Sequence, residues 1–313
     1  MVLHLSDAEV SSLLSMDECI QVLDDLFVQE SQGLAENTPT TEFYPPRGFF
    51  RLKAGALWST NTVGFKAYGA GRRRLIFVFD MAEGLQGIVD AVALTQIRTG
   101  AVSALATRYM ARPDASSVGI IGTGKEARTQ LEALSRVRKL SHVKAYSRKP
   151  ENRDAFATEM SERLNVEVEA VASGEESIRG NDIAVTITSA NDPVLFGDWL
   201  TEGMHICAVG ATTPYRRELD EIAVGRASTV AVEHLPQAEA ECGELIYAAM
   251  RAKLRWGTVR ELKDVVSGAI PGRAHDNDIT LFDSIGVGTE DVAVAAYLLD
   301  KARKQSAGKT IDL

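Results

Sequence analysis

The chain has 313 residues, 45% hydrophobic and 25% charged, the composition of an ordinary folded protein long enough for about two domains. It carries 34 basic and 43 acidic side chains, a net charge of −9, which argues against a nucleic-acid partner and gives no reason to expect an anionic membrane surface. Cys19, Cys207 and Cys242 are widely separated, with neither metal spacing nor a disulfide framework; no apolar run nears the ~18 residues of a membrane span, and Met1–Asp7 lacks a signal-peptide pattern, so the expected compartment is a reducing cytoplasm.

Residues 7–33 read as helix in two runs, Asp7–Val10 and from Met16 to Leu34, with Ile20, Leu23, Leu26 and Phe27 on one face. Residues 35–50 hold Pro39, Pro45, Pro46 and Gly48 and read as a loop entering a sheet. Three runs, 63–68, 75–80 and 86–91, suggest antiparallel strands, and Arg72-Arg73-Arg74 reads as a solvated loop before the second. A helix is expected over Leu94–Met110, with Ala101, Leu105 and Tyr109 spaced for burial and Pro113 ending it.

From Ser117 the pattern changes to alternating strand and helix. Strands are expected at 117–121, 143–146, 167–171, 183–188, 205–209 and 229–232. Such alternation implies a parallel sheet with right-handed crossovers. The fold class is therefore α/β, a doubly wound Rossmann sheet, joined to a second α+β domain. Thr289-Glu290-Asp291 reads as a helix start, with a hydroxyl cap and acids in the first turn. That helix runs through Val292, Ala295, Ala296 and Leu299 to Lys301, Arg303 and Lys304.

The stretch 117–127, Ser-Val-Gly-Ile-Ile-Gly-Thr-Gly-Lys-Glu-Ala, carries the most chemistry. An apolar strand enters a glycine turn and a helix follows at once, the arrangement that holds a dinucleotide pyrophosphate. Gly122 permits the tight turn, Gly124 lets backbone approach phosphate, and Ala127 replaces the third glycine. Thr123 and Lys125 belong to the same turn, where the first helical N–H groups face the anion. The second strand ends in Ser147-Arg148-Lys149, and the first acid beyond it is Glu151. An acid at that tip would select NAD; a basic, hydroxyl-bearing tip favours NADP(H) over NAD(H), because arginine forks a phosphate.

Several separated segments point one way: Val63-Gly64-Phe65-Lys66-Ala67-Tyr68, Thr95-Gln96-Ile97-Arg98-Thr99-Gly100-Ala101, the Gly122-Thr123-Gly124 turn, Ala208-Val209-Gly210, and 278–286, Asp-Ile-Thr-Leu-Phe-Asp-Ser-Ile-Gly. In this order they resemble the ornithine cyclodeaminase/mu-crystallin family over nearly the whole chain. The resemblance implies a Rossmann domain, 113–289, inserted in a domain built from 1–112 and 290–313. That second domain would dimerise and cover the nicotinamide; a homodimer would also cover the apolar edges of a short sheet. The resemblance further implies a small imino- or amino-acid substrate. Lys66 matches a lysine beside substrate and nicotinamide, and Arg98 the arginine that holds the substrate carboxylate. Thr95 and Thr99 resemble positions near the cofactor, and Thr188, Ser189, Val209 and Gly210 are placed with it.

The chain departs from the cyclodeaminase pattern at two points. Thr212 stands where an aspartate would act on the substrate amine, and a threonine hydroxyl cannot take that proton. A second substrate arginine has no clear counterpart: Thr41 or Glu42 lies near its place, and Arg47, Arg51 and Lys53 are nearby replacements. The expected chemistry is hydride transfer to a C=N carbon beside a carboxylate, reducing a ketimine or cyclic imine to an amino acid. Lys66, Arg98 and Thr212 would act on the substrate. The alternatives are an amino-acid dehydrogenase of the alanine dehydrogenase kind, ornithine cyclodeamination, and an NADPH-binding protein of mu-crystallin type. His205 reads as a core or strand-end residue, His234 and His275 as loop residues, and Cys207 as a small buried apolar side chain. Glu239, Glu241 and Glu244 read as a solvated helix face. The turn Ile285-Gly286-Val287-Gly288 reads as closing the Rossmann domain, and no metal site is expected.

Overall fold

A computed structural model describes residues 2–69, 71 and 73–312, so Arg72 of the basic run lies outside the described residues. The chain forms two compact units, Met1–Ala101 with Gly286–Leu313, and Val102–Ile285. In chain order the first unit begins with β1 (Val2–Leu5), α1 (Asp7–Leu13), α2 (Met16–Ser31), β2 (Ala35–Asn37), β3 (Thr41–Phe43), β4 (Phe50–Leu57), β5 (Thr62–Tyr68), β6 (Leu75–Asp80) and β7 (Gly84–Asp90). Helix α3 (Ala91–Met110) carries the chain into the second unit. There follow β8 (Ser117–Ile121), α4 (Lys125–Val137), β9 (His142–Tyr146), α5 (Pro150–Leu164), β10 (Glu167–Ala170), α6 (Gly174–Ile178), β11 (Ile183–Thr186) and β12 (His205–Ala208). Then come α7 (Glu221–Arg226), β13 (Thr229–Val232), α8 (Leu235–Glu241), α9 (Gly243–Met250), β14 (Arg260–Glu261), α10 (Leu262–Val266) and β15 (Thr280–Asp283). Helix α11 (Gly288–Gln305) and β16 (Lys309–Ile311) complete the first unit.

The two N-terminal helices are set by sequence alone. Ser6 with Glu9, and Ser15 with Glu18, form successive capping boxes, so the second cap interrupts what would be one long helix. The first unit's sheet has the order β16-β1-β7-β6-β5-β4-β2, with β3 also on β4. It is not purely antiparallel, because β1 joins β7 in parallel. The expected loop over 35–50 contains β2 and β3, three residues each and too short to leave a periodic signal.

Helix α11 lies on one face of this sheet. A Cβ on Gly55 would stand 2.6 Å from Thr289 N, and one on Gly64 would stand 3.0 Å from a Val292 methyl. Those glycines let the helix approach the strands. On the opposite face Phe65, Phe77 and Phe79 stack, with ring centroids 5.0 and 6.2 Å apart, and stay half-exposed.

The second unit holds an all-parallel sheet of order β10-β9-β8-β11-β12-β15-β13-β14. Val118, Ile120, Leu131, Phe156 and Met160 fill the core on one face; Ile121, Ile206, Leu245 and Leu281 belong to the core on the other. This is the doubly wound α/β architecture. The six expected strands are all present, but β15 inserts between β12 and β13, and β14 extends the edge. The expected strands 167–171, 183–188 and 205–209 end sooner, at Ala170, Thr186 and Ala208.

Candidate functional site

In the first unit, β4 and β5 pair so that Lys53 stands directly opposite Lys66, and Arg51 opposite Tyr68. Cross-strand partners share a face, so these four side chains rise on the side where α11 packs. Two like charges opposite one another cost stability unless something separates them. Here Lys66 Nζ meets Asp291 Oδ2 at 2.6 Å, and Lys53 Nζ donates to the Gly286 carbonyl at 2.7 Å. Arg98 Nε donates to Asp291 Oδ1 at 3.2 Å and Nη1 to Glu290 Oε2 at 2.9 Å. All five charged side chains are buried.

Lys53, Lys66 and Arg98 against Glu290 and Asp291 make 3 − 2 = +1. Burial drives the Lys66 ammonium down to about 8, with Arg98 and Lys53 adding and Asp291 opposing. For Asp291 burial pushes the other way, but Lys66 and Arg98 overcome it and hold the carboxyl below its ordinary value. Gly286 sits at φ +63°, and a Cβ there would stand 2.7 Å from Arg98 Nη1. The Lys66 ammonium also lies 5.5 Å from the Tyr68 ring centroid.

The candidate replacements for a second arginine separate. Arg47 is exposed, whereas Lys53 and Arg51 are buried on the Lys66 face. Arg51 pairs through Nε with Glu42 across β3 and β4. Thr95 and Thr99 flank Arg98 on α3, both buried, and Thr95 Oγ1 has no hydrogen-bond partner.

In the second unit, Gly122 ends β8 at φ +116°, where a Cβ would stand 2.2 Å from the Ile187 carbonyl oxygen. Gly124 behaves differently. It caps α4 at an ordinary φ of −77°, and no protein atom lies within 4 Å of where its Cβ would be. Among the described residues nothing requires a glycine there, whereas a phosphate approaching the backbone would. The first turn of α4 has no side-chain cap, so its N–H groups remain for an anion. Ala127 is fully buried against the sheet, and Lys125 is exposed. Thr123 Oγ1 donates to Ser147 Oγ at 2.9 Å, joining the turn to the tip of β9, where Arg148 and Lys149 are exposed. The residues fit a dinucleotide.

Thr188 and Ser189 follow β11; Val209, Gly210 and Thr212 follow β12. Thr188 N and Gly210 N both donate to one buried carboxylate, Glu218, at 2.6 and 2.7 Å. Behind Glu218 lie Glu244, Asp283 and Cys242, the last three each offering a donor atom within 4.8 Å of the others. Burial raises Asp283 to about 8 and Glu244 well above its usual range, with Asp283 adding to the rise at Glu244.

Several expectations need correction. Glu241 and Glu244 are buried rather than solvated; of the three, Glu239 is exposed. Thr289 is not a cap: Val287 holds that position, and Thr289 Oγ1 donates to Glu30 Oε1. Glu290 and Asp291 lie in the first turn of α11 as expected, yet serve as counter-ions to Arg98 and Lys66. The turn 285–288 straddles the unit boundary, and its Gly286 carbonyl holds Lys53. His205 is a core residue, bonded through Nδ1 to Thr280 Oγ1, with burial lowering its pKa to about 3. Cys207 is buried beside it.

The sequence matches the ornithine cyclodeaminase/mu-crystallin family over residues 2–306. The alanine dehydrogenase of Archaeoglobus fulgidus is 31% identical, over 99% of this chain and 98% of that protein. The Thermococcus litoralis Delta(1)-pyrroline-2-carboxylate reductase, solved in complex with NADH and L-proline, aligns with a TM-score of 0.94 at 30% identity, covering 99% of this chain and 100% of that one. The Paracoccus denitrificans iminosuccinate reductase, in complex with NAD+, gives 0.93 at 27% identity over 100% and 99%. With matched segments running from β1 through α11, the chain belongs to the ornithine cyclodeaminase/mu-crystallin family.

Proposed function

We propose that the protein is a nicotinamide-dependent oxidoreductase that reduces the C=N bond of a small imino acid, a ketimine or cyclic imine, to the amino acid. The buried cluster of Lys53, Lys66 and Arg98 against Glu290 and Asp291 carries this reading, because its single excess positive charge suits one substrate carboxylate. Two relatives whose names give an imine-reducing activity, solved with NADH and NAD+, support it.

When bound, the dinucleotide supplies the hydride. Arg98 anchors the carboxylate, with a guanidinium oriented by Glu290 and Asp291. Lys66, made more acidic by burial, gives a proton to the substrate nitrogen and is aimed by Asp291. The family resemblance gives Thr212 the place of the cyclodeaminase aspartate. With threonine there rather than a carboxylate, reduction of an iminium is favoured over ornithine cyclodeamination. Lys53 supplies the positive charge lost with the second arginine, since Arg51 is already paired with Glu42.

We further propose NADP(H) as the preferred dinucleotide. No acid stands at the β9 tip, and Arg148 and Lys149 are exposed there to meet a 2′-phosphate. The half-exposed Phe65, Phe77 and Phe79 face supports a homodimer, and three free, buried cysteines suit a reducing cytoplasm. No described helix is long and apolar enough to cross a membrane.

The test is an NADPH- and NADH-oxidation screen with Delta(1)-pyrroline-2-carboxylate, with pyruvate plus ammonia or methylamine, and with ornithine. Reduction of the preformed cyclic imine is expected. Turnover only with pyruvate and ammonia would favour the amino-acid dehydrogenase reading, which the Archaeoglobus relative also supports. Tight cofactor binding without oxidation across the panel would leave a non-catalytic binder.

A further inference from the structure

In the second unit one buried carboxylate ties the ends of two neighbouring strands. Thr188 N, past β11, donates to Glu218 Oε1 at 2.6 Å, and Gly210 N, past β12, donates to Glu218 Oε2 at 2.7 Å. Glu218 is completely buried, and its own N–H donates to Glu244 Oε1 at 2.7 Å. Arg216 adds two ties on the same stretch, to the Thr188 carbonyl at 3.1 Å and the Ala190 carbonyl at 3.0 Å. A Cβ on Gly210 would stand 2.5 Å from both Glu218 Oε1 and the Thr188 carbonyl oxygen, so the acid and the loop it ties together demand glycine there.

A carboxylate is a costly way to fill space in a core. Burial pushes Glu218 up, and the Thr188 and Gly210 donors oppose that push. What the arrangement achieves is a fixed separation between two loop backbones. Their place in the sheet gives that separation a use. Strand β8 stands between β9 and β11, so the strand order reverses there. A dinucleotide crossing at such a switch point lays its adenosine half towards β9 and its nicotinamide half towards β11 and β12.

We propose that Glu218 is a positioning residue for the nicotinamide half of the dinucleotide, acting through the backbones of residues 188–190 and 210–213, while the glycine elbow holds the other half independently. The inference rests on the dinucleotide-binding reading above. Glu218→Gln keeps the shape but turns an N–H donor towards one of the two amides, removing one tie. The measurements are affinities for ADP-ribose, 2′-phospho-ADP-ribose, NADH and NADPH by fluorescence titration, with kcat on the best imine.

Glu218→Gln is expected to bind the two nicotinamide-free fragments as wild type does, and the whole dinucleotides about tenfold more weakly, with a lower kcat. Arg216→Met should shift the same ratio less, and serves if the glutamine variant fails to fold. Equal loss for fragments and dinucleotides, or no loss for either, overturns the assignment. A wild-type protein that bound none of the four ligands would sink the dinucleotide reading itself.

Discussion

The two units bury charge in opposite ways. In the first, Lys66 and Arg98 are compensated by Asp291 and Glu290, charge against charge. In the second, peptide N–H groups offset only part of the burial of Glu218, and Asp283 and Glu244 are likewise pushed towards their neutral forms. The desolvation cost is of the same kind in both. With Lys53 added, the first solution leaves a net positive cluster suited to an anion. The second leaves backbone held rigidly, with no excess cation to attract one. The contrast predicts that the first region governs chemistry at the substrate, and the second governs how the cofactor is held.

The sharpest way to break that division is Lys66→Met. Turnover should fall on the order of 1,000-fold while dinucleotide affinity stays near wild type. Steady-state kinetics with parallel fluorescence titration checks this, and turnover surviving within tenfold would remove Lys66 from the reaction.

Next in size is the pair of elbow glycines. Gly124→Ala should weaken dinucleotide binding about tenfold or more and leave thermal stability unchanged, because the added methyl meets no protein atom. Gly122→Ala should lower the melting temperature by several degrees, since its methyl would strike the Ile187 carbonyl at φ +116°. Equal melting temperatures for the two variants would contradict the geometry.

Arg148→Asp should move the NADPH/NADH ratio of kcat/KM about tenfold towards NADH. An unchanged ratio would detach the β9 tip from cofactor choice.

In pH dependence the two regions should differ in sign. The Lys66 pKa is lowered from 10.5 to about 8, so the folded protein gives up this proton before the unfolded chain does. Its contribution to stability therefore rises as pH climbs from about 8 to 10.5, while activity needing the protonated lysine falls above about 8. Asp283 is raised from 3.8 to about 8, so the unfolded chain loses the proton first and stability falls as pH climbs through that window. Asp283→Asn should abolish that decline, seen as a melting temperature that gains on wild type between pH 5 and pH 8. It should leave the activity limb in place, whereas an activity limb lost with Asp283 would assign the limb to the wrong region.

What could be read early differs between the regions for one reason, sequence distance. The elbow at Gly122 and Gly124 is legible because strand, turn and helix follow within a few residues. Lys66 and Arg98 stand out only through likeness to a family, since a lysine in a half-polar strand otherwise reads as solvent-facing. Glu290 and Asp291 fit a local rule for helix starts, and that rule hid their partners; Arg98 and Asp291 are 193 positions apart. Glu241 and Glu244 have the spacing of a wet helix face and are buried. Periodicity reports which side chains are polar, not which of them a distant residue compensates.

The sequence by itself determined the doubly wound sheet and its glycine elbow, because alternation of apolar runs and glycines near a helix start act within neighbouring residues. Only the tertiary structure decided that Asp291 meets Lys66 and that Glu218 joins Thr188 to Gly210. Those charges are affordable in a dry interior solely when strands and helices from remote stretches bring their counterparts within hydrogen-bonding reach.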